Sequence, residues 1–191
     1  MTGRTHDLVA FTALTLTIAY SGIPHMTLAT AIVAFSANML GGLAPDLDQP
    51  TARFWNRIPA GSVIGRAISP VLGGHRLISH SILGVVVFGV VVNFLLSLAS
   101  NVLLVDMDIV WWAFMLGFMS HLLIDMLTKE GVPWLFPLPI NFGIPPLRAL
   151  RITTGELFEK SVLFPGLLVL NGYIIYQNYG VFVEFMRGLI Q

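Results

Sequence analysis

The stretch SILGVVVFGVVVNFLLSLASNVLLV, residues 81–105, runs for 25 positions without one charged side chain. Wound as an α-helix it would reach about 37 Å, longer than the roughly 30 Å hydrocarbon core of a bilayer. A helix is also the form in which a chain surrounded by lipid can bond its own backbone groups. The run therefore reads as a membrane span, and it is not alone. Apolar runs near 8–23, 26–43, 109–127 and 162–179 bring the expected number to five, the first rather short. Of the 191 residues 55% are hydrophobic and 10% charged, with a mean hydropathy of +0.81, far from the balance of a soluble domain. The expectation is an all-α, polytopic membrane helix bundle, with residues 1–191 forming a single integral membrane domain. Arg4 ahead of an apolar run ending in AYSG has the outline of a secretory signal, but Asp7 spoils the basic region and a second apolar run follows almost at once.

Ten Lys and Arg balance ten Asp and Glu, and no basic stripe points to nucleic acid as a partner. Cysteine is absent, which removes disulfides, thiolate metal sites and cysteine nucleophiles together. The connections after the first and third runs carry no Lys or Arg. Those over 44–80 and 129–160 hold Arg53, Arg57, Arg66, Arg76, Lys129, Arg148, Arg151 and Lys160. With Arg4, nine of the ten basic residues fall on one side and Arg187 alone on the other, so the positive-inside rule makes that side the cytoplasm, with the N-terminus inside and the C-terminus outside. Within these loops IPAGSVIGRAISPVLGG has the apolar spacing of a short interfacial helix. GVPWLFPLPINFGIPPLRAL, with five prolines, reads as an extended interfacial lip.

Drawn on this topology, the titratable residues gather at the cytoplasmic end. His6 and Asp7 precede the first span, Asp46 and Asp48 end the second, His75, Arg76 and His80 begin the third, and His121 and Asp125 close the fourth. His121 and Asp125, four residues apart, project from one helical face. An imidazole and a carboxylate so placed suit a cation of the zinc or manganese type, or else a hydrogen-bonded pair joining two helices. Gly117 on the same face admits a neighbouring helix. In APDLDQP, Pro45 and Pro50 bracket a segment expected to be non-helical, presenting two carboxylates either to metal or to Asx turns, with Asp48 also suited to orienting a neighbour. In GGHRLISHS, Ser79 is the expected N-cap of the third span, which would place His80 in its first turn. Arg76 there suits either a phosphate or the membrane surface.

The succession of an N-terminal TH, then PDLD, GHRLISHS, SHLLIDMLTKEGVP and TGELFEK resembles the YdjM-like family of bacterial inner-membrane proteins, described as LexA-regulated metal-dependent hydrolases. The resemblance implies His6, Asp46, His80, His121 and Asp125 as metal-site residues, one or two zinc ions (or manganese), and a bacterial-type inner membrane as the location. It also implies Asp48, His75 and Arg76 as catalytic candidates and Glu159 as a late-arriving ligand. The family in turn is similar to zinc-dependent phospholipase C, although this chain lacks several of that enzyme's additional histidines. The implied activity is hydrolysis of a phosphoester in a lipid or lipid-linked substrate, with Arg76, Arg148 or Arg151 clamping phosphate. Membrane lipid is the expected partner, and a homo-oligomer is compatible with it. The rival readings are a non-enzymatic scaffold with a structural metal and a metal-ion transporter, the latter disfavoured because polarity sits at one end of the spans. Neither HExxH nor GxSxG occurs.

Overall fold

The computed structural model describes residues 1–21, 26–51, 55, 59–70 and 76–190. Regular structure among them is helical: α1 Gly3–Tyr20, α2 Leu28–Leu43, α3 Gly61–Ile68, α4 Ile82–Ala99, α5 Met107–Asp125, α6 Phe164–Gln177 and α7 Tyr179–Gly188. Three of these are long and apolar enough to cross a membrane: α2 with the turn that continues it to Asp48, α4, and α5. α1 has 18 residues, but Arg4, His6, Asp7 and a series of threonines dilute its apolar character. The threonines do not disrupt it, because Thr12, Thr15 and Thr17 donate to the carbonyls of Leu8, Phe11 and Ala13 one turn back. α6 is 14 residues long and follows a single π-turn over Glu159–Leu163.

α5 is the axis of the bundle, packing against α2, α1 and α4. The α2–α5 seam closes to backbone contact because glycines line it. A Cβ on Gly41 would lie 2.0 Å from the Phe114 carbonyl oxygen, and one on Gly117 would lie 2.0 Å from that of Asn38. Gly42 faces α1, where an added Cβ would meet Ala10 Cβ at 2.8 Å. Without a hydrophobic force between lipid-bathed helices, such close approach is the main source of cohesion. Asn38 Nδ2 also donates across the seam to Ala113 O at 3.1 Å. α6 returns along α1, where Asn171 Nδ2 donates to Thr12 Oγ1 at 2.7 Å. α4 leans on α5 through Trp111 Nε1 and Gly89 O, 2.8 Å apart, and turns Val86, Val90, Phe94 and Leu98 outward. The alternating chain direction brings the N-terminal ends of α1, α4 and α6 and the C-terminal ends of α2 and α5 to one end of the bundle. That end carries the site.

The expected helix within 59–70 forms as α3, with Trp55 packed against Gly61 and Gly65 and its Nε1 donating to Leu47 O at 3.1 Å. The proline-rich lip contains no α-helix, but it is not extended as expected: it folds back on itself through turns and a 3₁₀ turn over Arg148–Leu150. Val132 and Phe142 exchange two backbone hydrogen bonds of 2.8 and 2.9 Å, and Thr128 bridges Ile152. Arg151, expected to clamp a phosphate, instead donates to the carbonyls of Pro145, Gly143 and Pro146 at 2.7, 3.2 and 3.0 Å. Prolines have no N–H, so the folded lip leaves carbonyls short of amide donors, and the guanidinium fork supplies them.

Two local expectations are corrected. Residues Ala44–Asp48 form a 3₁₀ turn running on from α2, not a non-helical segment, since Pro45 sits in its first turn where no amide is needed. The N-cap of α4 is Ser81, whose hydroxyl accepts from Gly84 N at 3.2 Å. Ser79 is committed elsewhere, and His80 precedes the helix instead of lying in its first turn.

Candidate metal centre

The 3₁₀ turn after α2 decides how its two carboxylates are used. At 3.0 residues per turn, side chains two apart diverge by about 120°, so Asp46 and Asp48 face different neighbours. Asp46, 23% exposed, directs Oδ1 to within 3.7 Å of His121 Nε2 and 3.9 Å of His80 Nε2. Asp48 is fully buried behind them and accepts at Oδ2 from Ser79 Oγ and from the Arg76 amide at 2.5 and 2.7 Å.

α5 contributes the expected pair on one face. His121 Nδ1 lies 2.7 Å from the Gly42 carbonyl, a contact made by the glycine seam. That carbonyl can only accept, so the proton is on Nδ1 and Nε2 is left as a lone-pair donor. His121 Nε2 has no hydrogen-bond partner and lies 3.9 Å from Asp125 Oδ2, which is itself 3.9 Å from His80 Nε2. The four atoms Asp46 Oδ1, His80 Nε2, His121 Nε2 and Asp125 Oδ2 thus form a ring with edges of 3.7, 3.9, 3.9 and 3.9 Å.

α1 completes the group. His6 stacks on His121 with ring centroids 3.6 Å apart and planes 7° from parallel. Its Nε2 is 3.4 Å from Asp125 Oδ1, and neither of its buried ring nitrogens has a hydrogen-bond partner among the described residues. Asp125 therefore presents one oxygen toward His6 and the other toward His80 and His121. Two organic cations also sit on it: the Met1 amine at 2.6 Å from Oδ1 and Arg76 Nη2 at 2.7 Å from Oδ2. Arg76 adopts a left-handed backbone, φ 61°, a conformation that costs a non-glycine residue of order 1 kcal/mol and is found where the surroundings over-determine it.

Of the residues singled out in the sequence, His6, Asp46, His80, His121 and Asp125 come together here. Arg76 lies beside them and Asp48 one layer behind. His75 lies outside the described residues. Glu159, expected as a ligand, is instead fully buried against the start of α1. Its Oε1 accepts from Thr2 N, Thr2 Oγ1 and Thr5 Oγ1 at 2.7, 2.7 and 2.6 Å, and its Oε2 from Gly155 N at 2.7 Å. Burial would raise its pKa, but the Gly155 amide, the Thr5 hydroxyl and the two Thr2 donors outweigh that and hold it at about 2. Glu159 is thus a clamp that fixes the helix carrying His6. The composition of TGELFEK marks it as polar but not as a clamp, whereas the threonines at 2 and 5 are the signal that acceptor chemistry was wanted there.

The donor set passes a chemical test for a divalent metal. Three imidazoles and two carboxylates, without sulfur, suit zinc or manganese. Ligand atoms about 2.0–2.2 Å from a tetrahedral zinc lie roughly 3.3–3.6 Å from one another; the ring edges exceed this by only a few tenths of an ångström, and the donors that are all mutually close form two threes, His6, Asp46, His121 and His80, His121, Asp125. Buried imidazole nitrogens without partners are costly unless something accepts their lone pairs.

The fold and this cluster define a helical membrane protein with a buried His/Asp group at one end of its bundle. The chain belongs to the YdjM inner membrane protein family, which it matches over residues 1–183. It is 28% identical over 176 residues to the uncharacterized protein YvsG of Bacillus subtilis (strain 168), covering 92% of this chain and 95% of that one. It is 35% identical over 123 residues to the inner membrane protein YdjM of Escherichia coli (strain K12), covering 64% of this chain and 58% of that one. The Shigella flexneri inner membrane protein YdjM matches to the same extent. No solved structure matches.

Proposed function

We propose that this protein is a metal-dependent hydrolase embedded in the membrane by five spans, with its site at the cytoplasmic end, acting on a phosphoester of a lipid or lipid-linked substrate. The observation that carries this reading is the meeting of three imidazoles and two carboxylates from four separate segments, with the nitrogens of His6 and His121 Nε2 buried and unbonded. The donors fall into two overlapping groups, His80, His121 and Asp125, and His6, Asp46 and His121, either of which would hold a zinc or manganese ion. Such an ion supplies an acidified water and stabilises negative charge developing on oxygen. Arg76 would leave Asp125 to the metal and turn its planar fork to a substrate phosphate. Asp46, the one partly exposed member of the ring, marks the side from which substrate arrives. The exposed Leu135, Leu138, Ile140 and Ile144 of the lip would lie among acyl chains beside that opening.

The test is metal analysis of purified protein together with turnover assays on phospholipids and polyprenyl phosphates. Stoichiometric zinc or manganese and release of phosphate or a phosphorylated headgroup are expected. Protein purified without chelators that carries no transition metal would end the reading. A second reading, a non-enzymatic scaffold with a structural metal, draws on the burial of all donors except Asp46. It gains if metal is present and every phosphoester and acyl ester survives.

A further inference from the structure

Asp48, Ser79 and His80 form a chain of contacts that the sequence does not announce. Asp48 and Ser79 are both fully buried. The Ser79 hydroxyl donates to Asp48 Oδ2 at 2.5 Å, and its oxygen lies 3.0 Å from His80 Nδ1. A serine hydroxyl has one proton. With that proton directed at a carboxylate oxygen, Ser79 can only accept from His80, so the imidazole proton must be on Nδ1. The opposite nitrogen, Nε2, is the one 3.9 Å from Asp46 Oδ1 and 3.9 Å from Asp125 Oδ2. Asp48 is held in turn by the Arg76 amide at 2.7 Å, and the left-handed backbone of Arg76 places that amide.

We propose that Ser79, backed by Asp48, is a positioning residue that fixes the Nδ1–H tautomer and the ring orientation of His80, so that Nε2 faces the cluster. Asp48 then acts on the ring mainly through Ser79, its Oδ2 standing 3.6 Å from His80 Nδ1 on the side away from Nε2. His121 reaches the same state by a different device, the Gly42 carbonyl. The two imidazoles are therefore oriented by unlike partners, a hydroxyl relay on the loop before α4 and a main-chain oxygen across the α2–α5 seam. An outer partner of a ligating histidine typically changes metal affinity by about 10–100-fold when lost. The consequence for metal rests on the metal-centre reading, but the tautomer assignment does not.

Two measurements on purified full-length protein decide it. In metal-free protein labelled with [¹⁵N]histidine, the His80 signals, identified by their loss in His80→Ala, should show Nδ1 protonated. Ser79→Ala should abolish that preference and Ser79→Thr keep it. In Co²⁺ titrations Ser79→Ala should weaken binding about 10–100-fold with an altered d–d spectrum, and Ser79→Thr should restore both. In a His80→Ala background the same Ser79→Ala change should alter affinity within about twofold, because its effect passes through that ring. A wild-type His80 protonated on Nε2 overturns the proposal, as does an equal Co²⁺ loss from Ser79→Ala with and without His80. If wild-type protein binds no Co²⁺, the metal reading fails, and the nitrogen spectra still decide the tautomer.

Discussion

At one end of the α2–α5 seam the two backbones touch. At the other the pair is still held, by Ala34 against Val110 and Ala113 and by the Asp106 amide donating to Thr30 Oγ1 at 3.1 Å, but an apolar cavity of about 470 Å³ lined by Leu14, Ile18, Phe35, Trp112, Leu116 and Phe185 opens beside it. The same two helices form both ends, so the contrast comes from side chains: Gly41, Gly42 and Gly117 on one half, and Phe35, Trp112 and Leu116 on the other. Close-packed interiors resist displacement by fractions of an ångström, and the tight half is where five donor groups must hold their spacing. The half beside the cavity has no such duty and presents hydrocarbon to hydrocarbon.

The comparison breaks most readily at the glycines. Gly117→Ala or Gly41→Ala places a methyl 2.0 Å from a backbone oxygen, so each should cost about 3 kcal/mol, at the upper end for overpacking, and should remove metal binding with it. Thermal unfolding in detergent and Co²⁺ titration check both. His121→Ala keeps the seam glycines, gives up the hydrogen bond to Gly42 O and removes the donor shared by the two groups His6, Asp46, His121 and His80, His121, Asp125. Metal affinity should fall by at least about 100-fold, beyond the usual loss for an outer partner, and chelator should lower the melting temperature of wild type but not of this variant.

Glu159 gives a smaller effect with a defined pH signature. Its folded pKa of about 2 lies below the ordinary 4.5, so its stabilisation is complete above pH about 4.5 and is lost as pH falls toward 2. The full contribution is on the order of 2–3 kcal/mol. Glu159→Gln sets an NH₂ against the Gly155 amide, and should lower stability at pH 7 and flatten the acid dependence between pH 6 and 3. The smallest effect is expected at Gly172→Ala on α6, where an added Cβ meets nothing within 4 Å. Its stability should stay level or rise by about 0.5 kcal/mol, in contrast to the same change in the seam.

The parts of the site that follow from helical periodicity were legible in the sequence. His121 and Asp125 announce themselves by their spacing, and His6, Asp46 and His80 by falling at the same end of successive apolar runs. The three most apolar spans were equally plain. What could not be read depends on contacts between loops. Nothing local says that Asp48 meets Ser79, 31 residues on, or that two carboxylates one residue apart diverge because their segment winds as a 3₁₀ turn. Ser79 looked like a helix cap because serine before an apolar run usually is one, and its partner was hidden in another segment. Glu159 looked like a ligand because a carboxylate in a matched motif carries no mark of what surrounds it. Of the seam glycines only Gly117 drew notice, since Gly41 and Gly42 gain meaning from the backbone opposite them.

The clamp at Glu159 has a consequence for the order in which the protein is made. α1 carries His6 and is made well before the carboxylate that fixes its first turn, which lies 154 residues beyond Thr5. Until that segment has been synthesised, α1 lacks the contact that locks its first turn. A chain lacking Glu159 would keep all five donors and lose the clamp on the helix that carries His6, so the shape of the centre depends on a carboxylate that is not one of its donors.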